Sequence, residues 1–259
     1  MFAGKTGSVS RFEDLLPEVR QWFNSDQGQF LLAAEQSHLR ELLPRMFGQH
    51  ACTLGILPDS SLLDDACIVY KTFLTPLSEE TAGMMVQISV NEWGIQPRSM
   101  NMVLLHHVLD FAERPHRILR EACRSIVPGG KLVIVGFNPY SIWNPLRMLG
   151  QGENKIMQKA RFYQSWRLKD WLTLLNFRTT ELRFGGGLFP FTCGLQPARK
   201  QKLEHLVSSP RLGLGSFYVL VAVKERAGLI PYDRRWRSTG NQLLGSSACC
   251  SGSLMEKPK

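Results

Sequence analysis

Residues 99–111 read Ser-Met-Asn-Met-Val-Leu-Leu-His-His-Val-Leu-Asp-Phe, and this stretch decides the fold. Its apolar centre, Met102–Leu105, is typical of a short buried strand. The next segment, from Pro115 to Gly130, carries apolar side chains at helical spacing and ends in Pro-Gly-Gly. A second apolar run, Lys131–Phe137, follows it directly. The sequence therefore predicts strand, helix and strand in that order, which is the unit of a parallel α/β sheet.

The same alternation continues on both sides of this unit. Two helices are predicted before the first strand, and the second of them is expected to shorten at Pro44 and close at Gly48. The connectors after the first two strands are about a dozen residues long, so at least one crossover has a single helical turn or none. Further strands are predicted at Ala51–Leu54, Ile68–Leu74, Met85–Val90, Phe177–Phe184 and Phe217–Val223. The fold class is therefore α/β, with a seven-stranded, mostly parallel sheet flanked by helices.

The pattern divides the chain into three predicted parts. Residues 1–47 are expected to form an N-terminal helical extension that packs on the sheet or overhangs a ligand cleft. Residues 48–226 contain the α/β domain, and residues 227–259 form a basic, Ser/Gly-rich tail. The N-terminus lacks the apolar core of a secretory signal, and no apolar run approaches the roughly 18–20 residues that a transmembrane helix needs. We therefore expect a cytoplasmic protein without a transmembrane segment.

The charge balance is positive but carries little functional information. The chain has 31 Lys and Arg residues against 22 Asp and Glu residues, which gives a formal net charge of +9. Such a charge attracts polyanions. The basic residues are scattered apart from short runs at 199–202 and 234–237, so a solvated basic surface is favoured over a nucleic-acid partner. The oligomeric state is not predicted.

The block from residue 99 to residue 139 resembles class I S-adenosylmethionine-dependent methyltransferases. It is particularly similar to a bacterial group of methyltransferase-domain proteins distantly related to the quinone-biosynthesis methyltransferases. The ordered elements that carry the resemblance are the strand before His106-His107, Pro115-His116, Val127-Pro128-Gly129-Gly130 and Phe137-Asn138-Pro139. The resemblance implies a Rossmann-like class I methyltransferase fold, S-adenosyl-L-methionine as cofactor, and methyl transfer to a small or hydrophobic acceptor.

The resemblance also implies which residues contact the cofactor. In open parallel sheets ligands lie beyond the carboxyl ends of the strands, where the strand order reverses. In the family's layout the first and fourth strands are neighbours at that point. The implied contacts come from the residues that end these two strands and follow the third: Gly55, Ser89, Val90, Asn91, Leu105 and His106.

The cofactor loop departs from the family pattern. The family ends its first strand with an acidic residue and Gly-x-Gly-x-Gly, whereas residues 53–58 read Thr-Leu-Gly-Ile-Leu-Pro and retain only Gly55. No carboxylate ends the second strand, and Asn101 stands where an aspartate commonly opens the fourth. Carboxylates nearby in sequence are those of Asp59, Asp64 and Asp65. These departures keep open an alternative, a catalytically inactive methyltransferase-fold protein that binds or regulates a partner.

His106 and His107 are the candidate catalytic residues. One interpretation places one of them beside the transferred methyl group, as a substrate contact or a general base near neutral pH. The other makes one a hydrogen-bonded plug of the cleft floor. Because consecutive residues at a strand end point to different sides, the pair is not expected to share a metal ion, and no metal site is predicted.

Two further segments have open interpretations. Asn138 follows the fifth strand, where it either orients a substrate or caps the turn. The stretch from Trp143 to Trp166 is either a lid over a substrate pocket or a surface insertion.

Overall fold

A seven-stranded sheet is the centre of the computed structural model, which describes residues 12–57, 60–76, 85–141, 144, 155–186 and 215–225. The strands lie in the order β3-β2-β1-β4-β5-β7-β6. The first five pair in parallel, and β7 runs antiparallel to both β5 and β6. Their bounds are β1 Phe47–Gly55, β2 Cys67–Thr75, β3 Met85–Gln87, β4 Met100–His106, β5 Ile126–Phe137, β6 Phe177–Gly185 and β7 Phe217–Lys224. The seven-stranded, mostly parallel sheet predicted from the sequence is confirmed.

Helices flank this sheet. In the described part of the chain they are α1 Phe12–Phe23, α2 Asp26–Leu42, α3 Val108–Phe111, α4 Pro115–Ser125, α5 Lys155–Lys159 and α6 Ser165–Leu174. The α1–α2 turn is set by Ser25, whose hydroxyl oxygen accepts a hydrogen bond from the N–H of Gly28 and so caps α2. No described helix combines the length and the apolar composition that crossing a membrane requires.

The core is densest at the middle of the sheet. Val103, Leu104 and Leu105 of β4 are fully buried, as are Leu132 and Val133 of β5. Because helices or other core elements cover both faces, these strands read as continuous apolar runs rather than alternating ones. This is why the two strands could be predicted from sequence alone.

The predicted boundaries of two helices are wrong. The helix expected from Pro115 to Gly130 ends at Ser125, and Ile126 already pairs with Met100 of β4. Pro128 explains the early end, since the residue before a proline is driven out of the helical conformation. The second helix ends at Leu42 rather than at Gly48, which lies within β1.

The third strand is shorter than predicted. The expected span Met85–Val90 contracts to Met85–Gln87, and Ser89 forms an isolated antiparallel bridge with Glu92. The residues after β3 therefore turn sharply at the carboxyl edge of the sheet.

The connection after β1 has no α-helix among its described residues. A single 3-10 turn, Ser60–Leu63, lies between Gly55 and Cys67. This agrees with the short crossover expected from the sequence. Among residues 56–57 and 60–66, which the structure describes, no α-helix offers an N-terminus of the kind that binds anionic groups.

Gly136 in β5 gives a packing prediction. A Cβ atom at this position would lie 2.6 Å from the Tyr218 hydroxyl oxygen and 2.9 Å from its Cζ. Tyr218 is buried and its ring is rigid, so it cannot turn aside. We expect Gly136→Ala to lower the free energy of unfolding by about 1–3 kcal/mol, measured by urea denaturation. An unchanged midpoint would show that the β5–β7 contact is looser than described.

Candidate active site

The site is built where β1 and β4 end side by side. Gly55 lies directly opposite His106 in the parallel pairing, at the point where the strand order reverses. The adjacency expected from the family's layout is therefore present. A Cβ atom at Gly55 would lie 3.2 Å from the Cβ of His106. The side chain of His106 therefore already occupies the space next to Gly55.

His106 and His107 converge on one carboxylate, so the expectation that they point to different sides is wrong. The Nε2 atom of His106 lies 2.9 Å from Oε2 of Glu35, and Nε2 of His107 lies 2.7 Å from Oε1. The reason is the backbone of His107, which is left-handed with φ 55° and ψ 7°. That conformation breaks the alternation of a strand and returns the second ring to the side of the first.

Glu35 is a site residue that the sequence interpretation missed. It lies on α2 and is fully buried. The signal that could have found it is its spacing, because Leu31, Glu35, Leu39 and Leu42 follow one another at helical intervals on the buried face. A lone carboxylate inside an apolar stripe requires a buried partner.

Asp110 holds the second histidine from the other side. Its Oδ2 atom lies 3.0 Å from Nδ1 of His107 and also accepts a hydrogen bond of 3.0 Å from the backbone N–H of Phe137. Asp110 is 1% exposed, and the side chains of Glu35, His106 and His107 are fully buried. The four residues form one buried polar network at the carboxyl edge of the sheet.

The network contains a buried ion pair. Burial acts to raise the pKa of Glu35, but the charge of His107 and hydrogen bonds from both imidazoles hold that pKa at about 2. Burial acts to lower the pKa of His107, yet Glu35 and Asp110 raise it to about 9. Burial lowers the pKa of His106 and raises that of Asp110. At neutral pH, Glu35 is negative, His107 positive and His106 neutral.

These pKa values predict a pH optimum for stability. Ionised Glu35 stabilises the fold above its ordinary pKa of 4.5, and this stabilisation is lost as the pH falls towards about 2. Protonated His107 stabilises the fold below its ordinary pKa of 6.5, and this stabilisation is lost as the pH rises through about 9. In the presence of a chelator, the free energy of unfolding should be highest between these ordinary values and should fall on both sides. Equal stability from neutral pH to about pH 10, measured by urea denaturation, would contradict the assigned charges.

The first two helices cover this network. The Nε atom of Arg20 donates a 2.7 Å hydrogen bond to the carbonyl oxygen of Ile56, the residue after Gly55. The ring of Phe23 lies 5.9 Å from that of His106 and 5.5 Å from that of His107, between centroids. The space beside Gly55 is therefore occupied on this side by side chains of α1 and α2.

An open cavity of about 290 Å³ also lies at this edge of the sheet. It is lined by Phe12 and Glu13 of α1, residues 89–91 after β3, residues 112–114 after α3, and Ile118 of α4. The predicted cofactor residues thus fall in two groups. Ser89, Val90 and Asn91 line the cavity, whereas Gly55, Leu105 and His106 belong to the buried strand ends.

The other polar residues singled out in the sequence have structural partners. The side-chain oxygen of Asn101 accepts hydrogen bonds from the backbone N–H groups of Gln49 and His50, at 2.9 and 3.0 Å. Asn138 donates to the carbonyl of Gly215 and accepts from the N–H of Tyr140, so it caps the turn after β5.

Asp64 and Asp65 do not replace the carboxylates missing from the strand ends. Asp64 and Asp65 lie just before Cys67, the first residue of β2, and Asp65 pairs with Arg40 at 3.6 Å. They are therefore at the amino end of the strand. Asp59, the tail, Trp143 and residues 145–154 of the predicted lid or insertion lie outside the described residues.

A family model matches part of the chain that contributes to the site. Residues 70–134 match the family model described as a methyltransferase domain. This span runs from β2 into β5 and contains both segments that follow β3 and α3 in the cavity wall. Over 158 residues the chain is 30% identical to the uncharacterized protein YafS of Escherichia coli K12, and the match covers 60% of this chain and 64% of that protein, less than two thirds of its length.

Solved structures show the same architecture. A crystal structure of a SAM-dependent methyltransferase from Thermotoga maritima, described as a possible histamine N-methyltransferase, is similar with a TM-score of 0.60 and 20% identity, covering 83% of this chain and 98% of that one. A SAM-dependent methyltransferase from Archaeoglobus fulgidus is similar with a TM-score of 0.54 and 15% identity, covering 73% and 92%. The chain therefore has the class I methyltransferase fold, and its central segment from residue 70 to residue 134 is similar to the methyltransferase-domain family.

Proposed function

We propose that this chain is an S-adenosylmethionine-dependent methyltransferase that acts on a small or hydrophobic acceptor. The main support for the proposal is that most of the cavity wall lies within the segment that matches the methyltransferase-domain model. Seven of the nine residues in the cavity wall, those at 89–91, 112–114 and 118, lie within the matched residues 70–134. The remaining two come from α1, which covers the same edge.

The adenosine part of the cofactor fits this cavity. Ser89 and Asn91 are exposed and offer hydrogen-bonding groups, while Val90 and Ile118 supply apolar surface. Glu13 and Glu113 also line the cavity, and their carboxylates are of the kind that accept hydrogen bonds from ribose hydroxyls. We propose that they take the place of the carboxylate missing from the end of β2.

The methionine part of the cofactor would lie in a region that side chains of the protein already fill. Beside Gly55 the space is held by His106, by Phe23 and by the Arg20 hydrogen bond to Ile56. We expect cofactor binding to displace α1 from this position. A single hydrogen bond of this kind contributes about 1.5–3 kcal/mol at most, so its loss can be offset by ligand contacts.

The chain's own residues would orient the acceptor and take up its proton. Bound S-adenosylmethionine supplies a methyl group on a sulfonium, and transfer chiefly requires positioning. The Nδ1 atom of His106 has no hydrogen-bond partner among the described residues and lies 3.7 Å from the position of a Cβ at Gly55. Because burial lowers its pKa, His106 is neutral near pH 7, as a general base requires. His107, fixed between Glu35 and Asp110, would act as a positioning residue.

Calorimetry with S-adenosylmethionine tests this function. We expect a dissociation constant of about micromolar for the unaltered chain, and a loss of at least about tenfold for Asn91→Trp, because the indole would fill the cavity. Asn91 is exposed, so the variant should fold. Gln96→Trp is the matched control, since Gln96 is also exposed but lies outside the cavity wall. Equal affinity in both variants would remove the cavity as the binding site.

The closed region beside Gly55 favours a second candidate function. A catalytically inactive methyltransferase-fold protein would need no cofactor space there, and no carboxylate at the end of β2. In that case the folded chain would not bind S-adenosylmethionine or S-adenosylhomocysteine at millimolar concentration. The same titration therefore separates the two functions.

A further inference from the structure

We propose that Glu35, His106 and His107 form a buried binding site for a divalent transition metal, with zinc as the preferred ion. One ligand atom from each residue lies within 4.8 Å of the others. The three residues come from α2 and from the end of β4, so the fold brings the donors together across about 70 residues of sequence. The inference does not depend on methyl transfer, and a metal on Nε2 of neutral His106 would place the proton on Nδ1, so in the metal-bound chain this atom would not be the general base proposed above.

The donor set suits zinc. Two imidazole nitrogens and a carboxylate are common zinc ligands, with metal–ligand distances of about 2.0–2.2 Å. At tetrahedral angles such ligand atoms lie about 3.3 Å apart. The separations of 2.9 Å and 2.7 Å between the histidine nitrogens and the Glu35 oxygens would open by about half an ångström, and longer separations in the group, which reach up to 4.8 Å, would shorten.

Glu35 presents a different oxygen to each histidine. Oε2 faces His106 and Oε1 faces His107, so a bidentate carboxylate would bring the number of donor atoms to four. The rings of Phe23 and Phe137 pack against the histidines and close the site from the sides. Two histidines and one glutamate also occur together as zinc ligands in sites that keep a further position for water.

The surroundings of His107 match those of a metal-bound histidine. Its second ring nitrogen, Nδ1, lies 3.0 Å from Oδ2 of Asp110, which is fixed in turn by the N–H of Phe137. A carboxylate that accepts the remaining N–H of a ligating histidine sets its tautomer and orientation. This support is already in place on the side of the ring opposite Glu35.

A divalent ion would replace the proton of His107 as the positive charge of the network. Glu35 and Asp110 are two buried carboxylates, and no lysine or arginine is buried among the described residues. A divalent cation would balance both carboxylates while both imidazoles stay neutral, which is the form that binds metal. The ion would tie α2 to the end of β4, beneath the helix that covers the carboxyl edge.

Metal analysis of the untagged full-length chain tests the proposal. Cells grown with added zinc should give about one zinc per chain after purification, and cells grown with cobalt should give a protein with the intense visible absorption of tetrahedral Co²⁺. Because the donors are buried, the metal should exchange slowly with chelator. A metal content below about one tenth per chain, in a protein folded by circular dichroism, would overturn the proposal and leave a hydrogen-bonded network only.

Variants of two ligands and of the supporting carboxylate test the assignment. Glu35→Gln keeps the side-chain shape, and His107→Asn suits the left-handed backbone of that position, so both are chosen to preserve the fold. We expect each to lower the metal content at least about tenfold, and Asp110→Asn to weaken zinc affinity by about 10–100-fold. His116 is an exposed histidine, so His116→Asn is the control and should keep the metal. Metal retained by folded Glu35→Gln and His107→Asn would place the ion elsewhere and contradict the assignment.

Discussion

Replacing Glu35 with alanine is expected to lower the free energy of unfolding by about 3–5 kcal/mol, because it removes one of the two carboxylates that pair with buried His107. The same change removes the hydrogen-bond acceptor of His106. A buried charge that lacks a partner lowers stability far more than an exposed charge does, and His107 is fully buried. The variant therefore loses part of the compensation for a charge that the fold has already removed from water.

Urea denaturation at pH 6 to 7, with matched slopes, measures this loss. Glu41→Ala is the control, because Glu41 lies on the same helix and pairs with Arg183 at the surface, with its side chain 66% exposed. We expect the control to change stability by less than about 1 kcal/mol. A similar small change for Glu35→Ala would mean that the buried ion pair does not form in solution.

Replacing Phe23 with alanine is expected to cost about 3–5 kcal/mol as well, through a different mechanism. Phe23 is fully buried at the end of α1, and its ring packs on both histidines. Removing the ring leaves a cavity next to polar groups that cannot collapse into it without breaking their hydrogen bonds. The loss therefore combines transfer free energy with the cost of the cavity.

Phe47→Ala is the matched control for this prediction. Phe47 is the first residue of β1 and is 80% exposed, so we expect its truncation to stay within about 0.5 kcal/mol of the unaltered chain. Both variants can be compared by thermal or urea unfolding. If Phe23→Ala were no less stable than Phe47→Ala, α1 would not be docked on the carboxyl edge as described.

The sheet could be predicted because its burial is visible in the sequence. β4 and β5 are buried on both faces, which produces the apolar runs at 102–105 and 131–137. The switch point followed from the family's layout, and the pairing of Gly55 with His106 agrees with it. Local pattern and ordered motifs were sufficient for this part of the fold.

The buried network could not be predicted, because it depends on tertiary contacts and on one backbone angle. Glu35 lies 71 residues before His106 and matches no motif that would link them. The strand rule failed for His107 because its φ of 55° returns the ring to the side of His106. An imidazole tolerates this conformation, but nothing in the neighbouring residues signals it.

We propose that the cavity at the carboxyl edge holds the adenosyl group of a methyl donor, and a crystal structure of the chain grown with S-adenosylhomocysteine would show whether it does. We expect the adenosyl group between residues 89–91 and 112–114, with Arg20 released from the carbonyl of Ile56. A ligand bound at another place, or a cavity that stays empty at millimolar ligand, would contradict it.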